Sequence, residues 1–278
     1  MPETSWLTLL ASSIGGGVVV KVLDYVRDEY QRRRERTETA RELLTRHQDP
    51  ILKTADELVG EIRSLALSDF AVFRTHQHQP IENVSFDLRR LSALFYFAQF
   101  WARVQLLRVE SGSIALASDP AGARLQKFLQ QLESRAVRVV DRVWQRAAGE
   151  AIIVTEGSGR RPMNVYEFSD RYHTQENFRK WFRPLALLLD NSGRQVADRQ
   201  RVLKYGVVLH ALIDTLDAAH IVTVRRDPWP HKLSSAVRKQ LAFGTFSQHL
   251  PFVPKWGAYT KAQKKGGPSG RGVHPPSE

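Results

Sequence analysis

His210, Asp214, Asp217 and His220 place two imidazoles and two carboxylates within eleven residues. On a helix turning 100° per residue they fall in an arc of about 120°. Oxygen and imidazole donors at that spacing suit a divalent cation. The neighbouring arc carries Leu209, Leu212, Ile213 and Leu216 and reads as the core face. The four polar groups then form a polar face turned to solvent or to another helix, and this reading outweighs metal binding. His76 and His78 sit in a His-Gln-His-Gln loop with no third ligand beside them. Phe178 to Arg183 interleaves aromatics with positive charge, as base-stacking surfaces do. A helix with buried aromatics and a charged outer face has the same pattern and is the stronger reading. Gly157-Ser158-Gly159 precedes two arginines but lacks the Lys-Ser/Thr of a phosphate loop, and reads as a turn. The nucleophile elbow Gly-x-Ser-x-Gly does not occur. These motifs assign no catalytic residue, metal or cofactor.

The elements that would position such groups begin with the apolar run Trp6–Leu23, which contains one charge, Lys21. About 17–20 apolar residues span a bilayer, so this run sits at the lower limit. Its nine Leu, Ile and Val residues contribute about −4 kcal/mol to insertion. Lys21 costs about 3 kcal/mol at the bilayer centre, but it lies near one end, where its stem snorkels to the headgroups. Trp6 stands where an interfacial aromatic belongs. Arg27, Arg32, Arg33, Arg34 and Arg36 follow the run, and only Glu3 precedes it. The positive-inside rule puts the N-terminus outside and the body in the cytoplasm. No basic region precedes the run and no small-x-small cleavage site follows, so a cleaved signal peptide fits poorly. Ser12 with Gly16, and Ser13 with Gly17, have the small-xxx-small spacing that lets helices approach in lipid. Small residues in a short anchor explain the same spacing. A buried helix of a soluble protein is the alternative for the whole run.

Residues 24–46 carry dense charge of both signs on good helix formers. Glu38 and Glu42 with Arg41 and Arg46 suit a solvated helical stalk. The run Arg32–Arg34 is placed to touch anionic lipid, or is simply a solvated face. Asp49-Pro50 and Asp119-Pro120 are helix-start signals, an N-cap followed by proline at the first helical position. The spacing predicts helices from Pro50, over 81–109, over 120–147, over 175–190 around Pro184, and over 196–219. Residues 151–168 read as a short hairpin about a glycine turn. Residues 232–241 read as a short helix, and the Gly, Pro, Ser and Lys content after Pro251 reads as disorder.

The 278 residues carry a formal charge of +12 with a pI of about 10.2, which favours anionic partners such as nucleic acid or lipid headgroups. The absence of cysteine excludes disulfides and cysteine-ligated metal centres.

The segments His47-Gln48-Asp49-Pro50-Ile51-Leu52 and Leu94-Phe95-Tyr96-Phe97-Ala98-Gln99-Phe100-Trp101 occur in a telling order. Tyr166-Glu167-Phe168, Trp181-Phe182 and Leu212-Ile213-Asp214-Thr215-Leu216-Asp217 follow them. Over residues 6–225 the chain resembles a family of uncharacterised single-pass membrane-anchored helical proteins from GC-rich bacteria. The resemblance implies a membrane anchor and carries over no catalytic residues.

The expected fold is mainly α, an N-terminal transmembrane helix and stalk followed by an antiparallel helical bundle with one short β-hairpin. The expected organisation is an anchor at 1–23, a stalk at 24–46, a cytoplasmic helical domain at 47–245 and a basic disordered tail at 246–278. The expected function is a membrane-tethered interaction or scaffold module at the inner membrane, in bacterial signalling or defence. Its expected partners are anionic lipid, a protein and a second copy of the chain. The alternative is a soluble basic helical protein that associates with nucleic acid. The third reading, a helical hydrolase, would rest on His210 and Asp214. Trp6, Gly16, Lys21, Arg32, Arg33 and Arg34 are the candidate anchor residues; His210, Asp214 and Asp217 form the candidate polar cluster.

Overall fold

The computed structural model describes residues 6–74, 84–111 and 116–261, and the side chains of residues 6–24, 26 and 84–87 lie outside the described residues. The protein is mainly helical, with one two-stranded antiparallel sheet. Helix α1 spans Trp6–Leu67, α2 Val84–Glu110, α3 Pro120–Leu132 and α4 Arg142–Ala151. The hairpin follows, β1 Ile153–Glu156 and β2 Gly159–Pro162. Then come α5 Val165–Thr174, α6 Glu176–Ser192 and α7 Val196–Leu216. A 3-10 turn at Pro230–Lys232, α8 Ser235–Lys239, a π-helical stretch Gln240–Ser247 and α9 Gly257–Thr260 complete the order. Helix α1 packs on α2 and α7, α2 on α4, and α6 on α7.

The helix expected to begin at Pro50 does not begin there: Pro50 lies inside α1, a single helix of 62 residues. An interior proline removes one hydrogen bond and costs about 3 kcal/mol relative to alanine. Burial runs straight through it. Ala40, Leu44, His47, Ile51, Ala55, Leu58 and Ile62 are buried at three- and four-residue spacing on one face. That apolar stripe on both sides of Pro50 outweighs the lost bond, and Thr54 Oγ1 donates to the Pro50 carbonyl at 3.0 Å. The boundary expected at 46/47 therefore falls within one helix, and the last turns of the expected stalk belong to the body.

No described side chain of residues 25–39 is buried. This segment carries its own i,i+4 ion pairs, Arg33 with Glu29 and Arg34 with Glu38, both at 2.9 Å. Glu42 pairs with Arg46 as the spacing predicts, whereas Arg41 reaches Asp119 at 3.6 Å.

The core is centred on the apolar run of α2. Trp101 Nε1–H donates to the Tyr205 hydroxyl at 2.9 Å, and the Phe97 ring lies against both. Gly149 lets α4 close on this run, because a Cβ there would stand 2.8 Å from the Trp101 carbonyl carbon.

The Asp119-Pro120 signal does start a helix: the Asp119 side chain accepts from the Ala121 and Gly122 N–H groups. The single helix expected over 120–147 is instead two, α3 and α4. Glu133 turns back to Arg108 and Arg146, Val137 and Val139 bury in the turn, and Asp141 caps a new helix at the Val143 N–H. The hairpin pairs Ile153 with Pro162 and Glu156 with Gly159, with Gly157 at φ +59 in the turn. The end of the expected β region is helical, since Asn164 and Glu167 form a capping box that opens α5. Pro184 neither ends nor divides α6, whose Phe178, Phe182, Leu185 and Leu189 lie in the core.

The expectation of disorder from Pro251, and of a tail from 246, is overturned as far as residue 261. Phe246, Leu250, Val253 and Tyr259 are buried, and Phe252 meets Phe128 edge-on at 5.6 Å. Residues 262–278, and the loop with His76 and His78, lie outside the described residues. Among the described residues no helix is long and apolar enough to cross a membrane. The anchor residues Trp6, Gly16 and Lys21 fall on the backbone of α1, with side chains outside the described residues.

Candidate functional site

Of the polar cluster, only His210 and Asp214 lie on α7, which ends at Leu216. One helical turn separates them, and His210 Nε2 stands 3.6 Å from Asp214 Oδ2. Asp217 is the C-cap, and His220 sits beyond it with φ at +53. His220 Nε2 approaches Asp214 Oδ1 at 3.5 Å from the other side. The Tyr259 hydroxyl, 45 residues along the chain, donates to Asp214 Oδ2. One carboxylate thus lies among two imidazoles and a phenol.

The site is closed. His210, expected on a polar face, is 2% exposed. Its ring stacks on Trp229 at 5.3 Å and meets Tyr259 edge-on at 5.5 Å. It also holds a hydrogen bond to the Arg226 main chain. Burial keeps the imidazole below its usual range, against the opposing pull of Asp214. With its other nitrogen so engaged, His210 Nε2 is buried with no hydrogen-bond partner. Burial, reinforced by the bond to Asp214, pushes the Tyr259 phenol up. A carboxylate with two imidazoles is a general acid–base set in principle, but here His210 lies buried between Trp229 and Tyr259, and Asp214 already accepts from the Tyr259 hydroxyl. Among the described residues no group of three or more His, Asp or Glu side chains has metal-holding geometry. The cluster therefore acts as a knot that ties α9 and the loop after α7 to the bundle.

Asp217 does not join that knot. Its carboxylate accepts from the N–H groups of Ile221, Val222 and Thr223 at 2.8–3.0 Å and from the Thr223 hydroxyl at 2.8 Å. Burial opposes ionisation, yet these four donors hold the group below the ordinary carboxylate range. The consequence is a fixed loop that presents Ile221 at 86% exposure and leads Arg226 to an ion pair with Asp56 of α1.

Arg32, Arg33 and Arg34 lie on the solvated part of α1, where Arg33 and Arg34 are held in the ion pairs described above. In the Phe178–Arg183 segment, Phe178 and Phe182 are core, and Trp181 is 44% exposed beside Trp144 with ring centroids 5.8 Å apart. Sequence reasoning missed Tyr259, Trp229 and Trp144. A signal for Tyr259 existed: Phe252, Trp256 and Tyr259 crowd a stretch otherwise poor in apolar residues, and aromatics at that density argue against disorder.

No family model, curated protein or solved structure matches the chain.

Proposed function

We propose that the chain is a membrane-tethered helical interaction module, with α1 serving as tether, spacer and structural member at once. The observation that carries this reading is the continuity of α1 from Trp6 to Leu67. One helix joins the apolar run Trp6–Leu23 to side chains in the centre of the bundle. Between them, sixteen residues of helix, with no described side chain buried, rise about 24 Å. A jointless spacer of that length fixes the height and orientation of the body over a surface, as a flexible linker does not. The arginines after Leu23 suit the cytoplasmic face of an inner membrane. The fixed loop with exposed Ile221 offers a contact for a protein partner.

Fractionation of the full chain beside a version lacking residues 1–23 tests the tether. Resistance to high salt and alkaline carbonate, with release by detergent, is expected of the full chain alone. Release of both by carbonate would sink the proposal.

A second reading, association with nucleic acid, draws on the net charge of +12 and the exposed Trp144–Trp181 pair. Stacking on such a pair beside a basic helix gives sequence-tolerant, salt-sensitive binding. It predicts single-strand binding that falls steeply with salt and weakens about tenfold in Trp181→Ala. No binding at low salt would remove it.

A further inference from the structure

Where α3 gives way to α4, the surface opens into a cleft of about 540 Å3 against α2. Arg108, Arg142 and Arg146 all line it, facing a single acid, Glu133. Glu133 accepts from Arg108 Nη1 at 2.7 Å and from Arg146 Nη2 at 2.9 Å and Nε at 3.2 Å. Burial opposes its ionisation, but the two guanidiniums prevail and hold it below the ordinary carboxylate range. The structural role of this triad is to hold the break between α3 and α4. That role does not use Arg142, which is exposed and for which the described residues supply no partner. Nor does it use the Ser134 hydroxyl, which is buried at the cleft without a hydrogen-bond partner. Gln126 and Gln130 add amide donors at the rim.

Three guanidiniums against one carboxylate leave the lining net positive, with Glu150 acting on Arg146 from outside the cleft. Glu133 fixes two of the forks in place, so their remaining N–H groups are ordered before any ligand arrives. Guanidinium forks bind phosphate through paired, charge-assisted hydrogen bonds. A phosphate monoester carries close to two negative charges at neutral pH. The volume falls in the range of small-molecule sites, larger than inorganic phosphate alone requires. We propose that this cleft binds a phosphate monoester, with Arg142 and Arg146 gripping the phosphate and the Ser134 hydroxyl donating to it from below. The proposal is independent of the tether, and neither result decides the other.

The test is calorimetric titration of the full chain in detergent with four probes: inorganic phosphate, adenosine monophosphate, its cyclic diester, and short-chain phosphatidic acid below micellar concentration. Saturable one-to-one binding of a monoester is expected, weaker for inorganic phosphate and absent for the cyclic diester. Binding by the nucleotide assigns a soluble ligand, and binding by phosphatidic acid alone assigns a lipid headgroup. Arg142→Gln, at a position with no structural partner, should keep the wild-type melting temperature and weaken binding about tenfold. Ser134→Ala should weaken it less, also without unfolding. Failure of every probe to saturate, equal binding of the cyclic diester, or an Arg142→Gln variant that binds like the wild type would each overturn the proposal.

Discussion

At the scale of single residues, one carboxylate organises a loop and another organises a knot, and the two differ in what their loss should do. Asp217 serves three main-chain N–H groups and one hydroxyl. Asp217→Ala leaves those donors facing a void, and each buried unsatisfied group costs about 1–3 kcal/mol before relaxation. Since the loop can partly reach water, a loss of about 3 kcal/mol in urea unfolding is expected, with Asp217→Asn recovering part of it. A loss under about 0.5 kcal/mol would show that the loop is not held by this residue. His210 makes a pH-dependent contribution. Its folded-state affinity for a proton is depressed by burial, so the unfolded chain takes up a proton that the native site refuses. The resulting stability is full above the unfolded pKa of about 6.5 and is lost as pH falls below it. The wild type should therefore lose stability on acidification through that range more steeply than His210→Gln, and parallel pH profiles would refute the assignment. The i,i+4 pairing of His210 with Asp214 was legible because helix geometry alone places those residues on one face. Tyr259 and Trp229 were not legible, because nothing local relates a residue 45 positions away to a helix face; only tertiary packing does.

At the scale of elements, the same two-residue signal had two outcomes. Asp119-Pro120 starts α3, while Asp49-Pro50 sits unbroken inside α1. The difference lies upstream: Ala40, Leu44 and His47 continue the buried stripe of Ile51 and Ala55 in register, so the bundle keeps both sides of Pro50 helical. The converse error occurred over 120–147, where an unbroken apolar period conceals a break. Val139 satisfies the pattern while lying in a turn, the buried Val137 falls outside it, and the ion pairs of Glu133 hold that turn. Periodicity thus located the buried residues up to Leu132, and failed past the break, where Val143 and Trp144 are exposed. The C-terminal segment offers the sharper test. Composition after Pro251 reads as disorder, yet Val253 and Tyr259 are buried. Removing residues 251–278 should lower the unfolding free energy by about 3–5 kcal/mol, the scale of burying one aliphatic and one aromatic side chain. Tyr259→Phe, which removes only the hydroxyl on Asp214, should cost about 1–2 kcal/mol. An unchanged urea midpoint in the truncated chain would mean that the segment does not pack.

At the scale of the whole molecule, mechanical continuity matters most. On the proposed reading of α1 as a tether, a bend at Pro50 would let the body roam, and a straight helix would fix where the Arg-lined cleft and the Ile221 loop could meet a partner. The chain has no cysteine, so two introduced cysteines are the sole labelling sites. Arg27 and Ser64 are both exposed positions of α1 on opposite sides of Pro50. The 37 intervening steps of a straight helix span about 55 Å, and a proline kink shortens that by only a few ångströms. Spin labels at Arg27→Cys and Ser64→Cys should give one narrow distance near that value in electron–electron resonance, with detergent present or absent. A broad distribution, or a mean well below 50 Å, would place a joint near Pro50. The spacer role of α1 would then fall, whether or not residues 6–23 enter a bilayer. A narrow distance joined to carbonate-soluble behaviour would have the opposite meaning: the rigid arm would stand, and its apolar end would seek a protein surface instead of lipid.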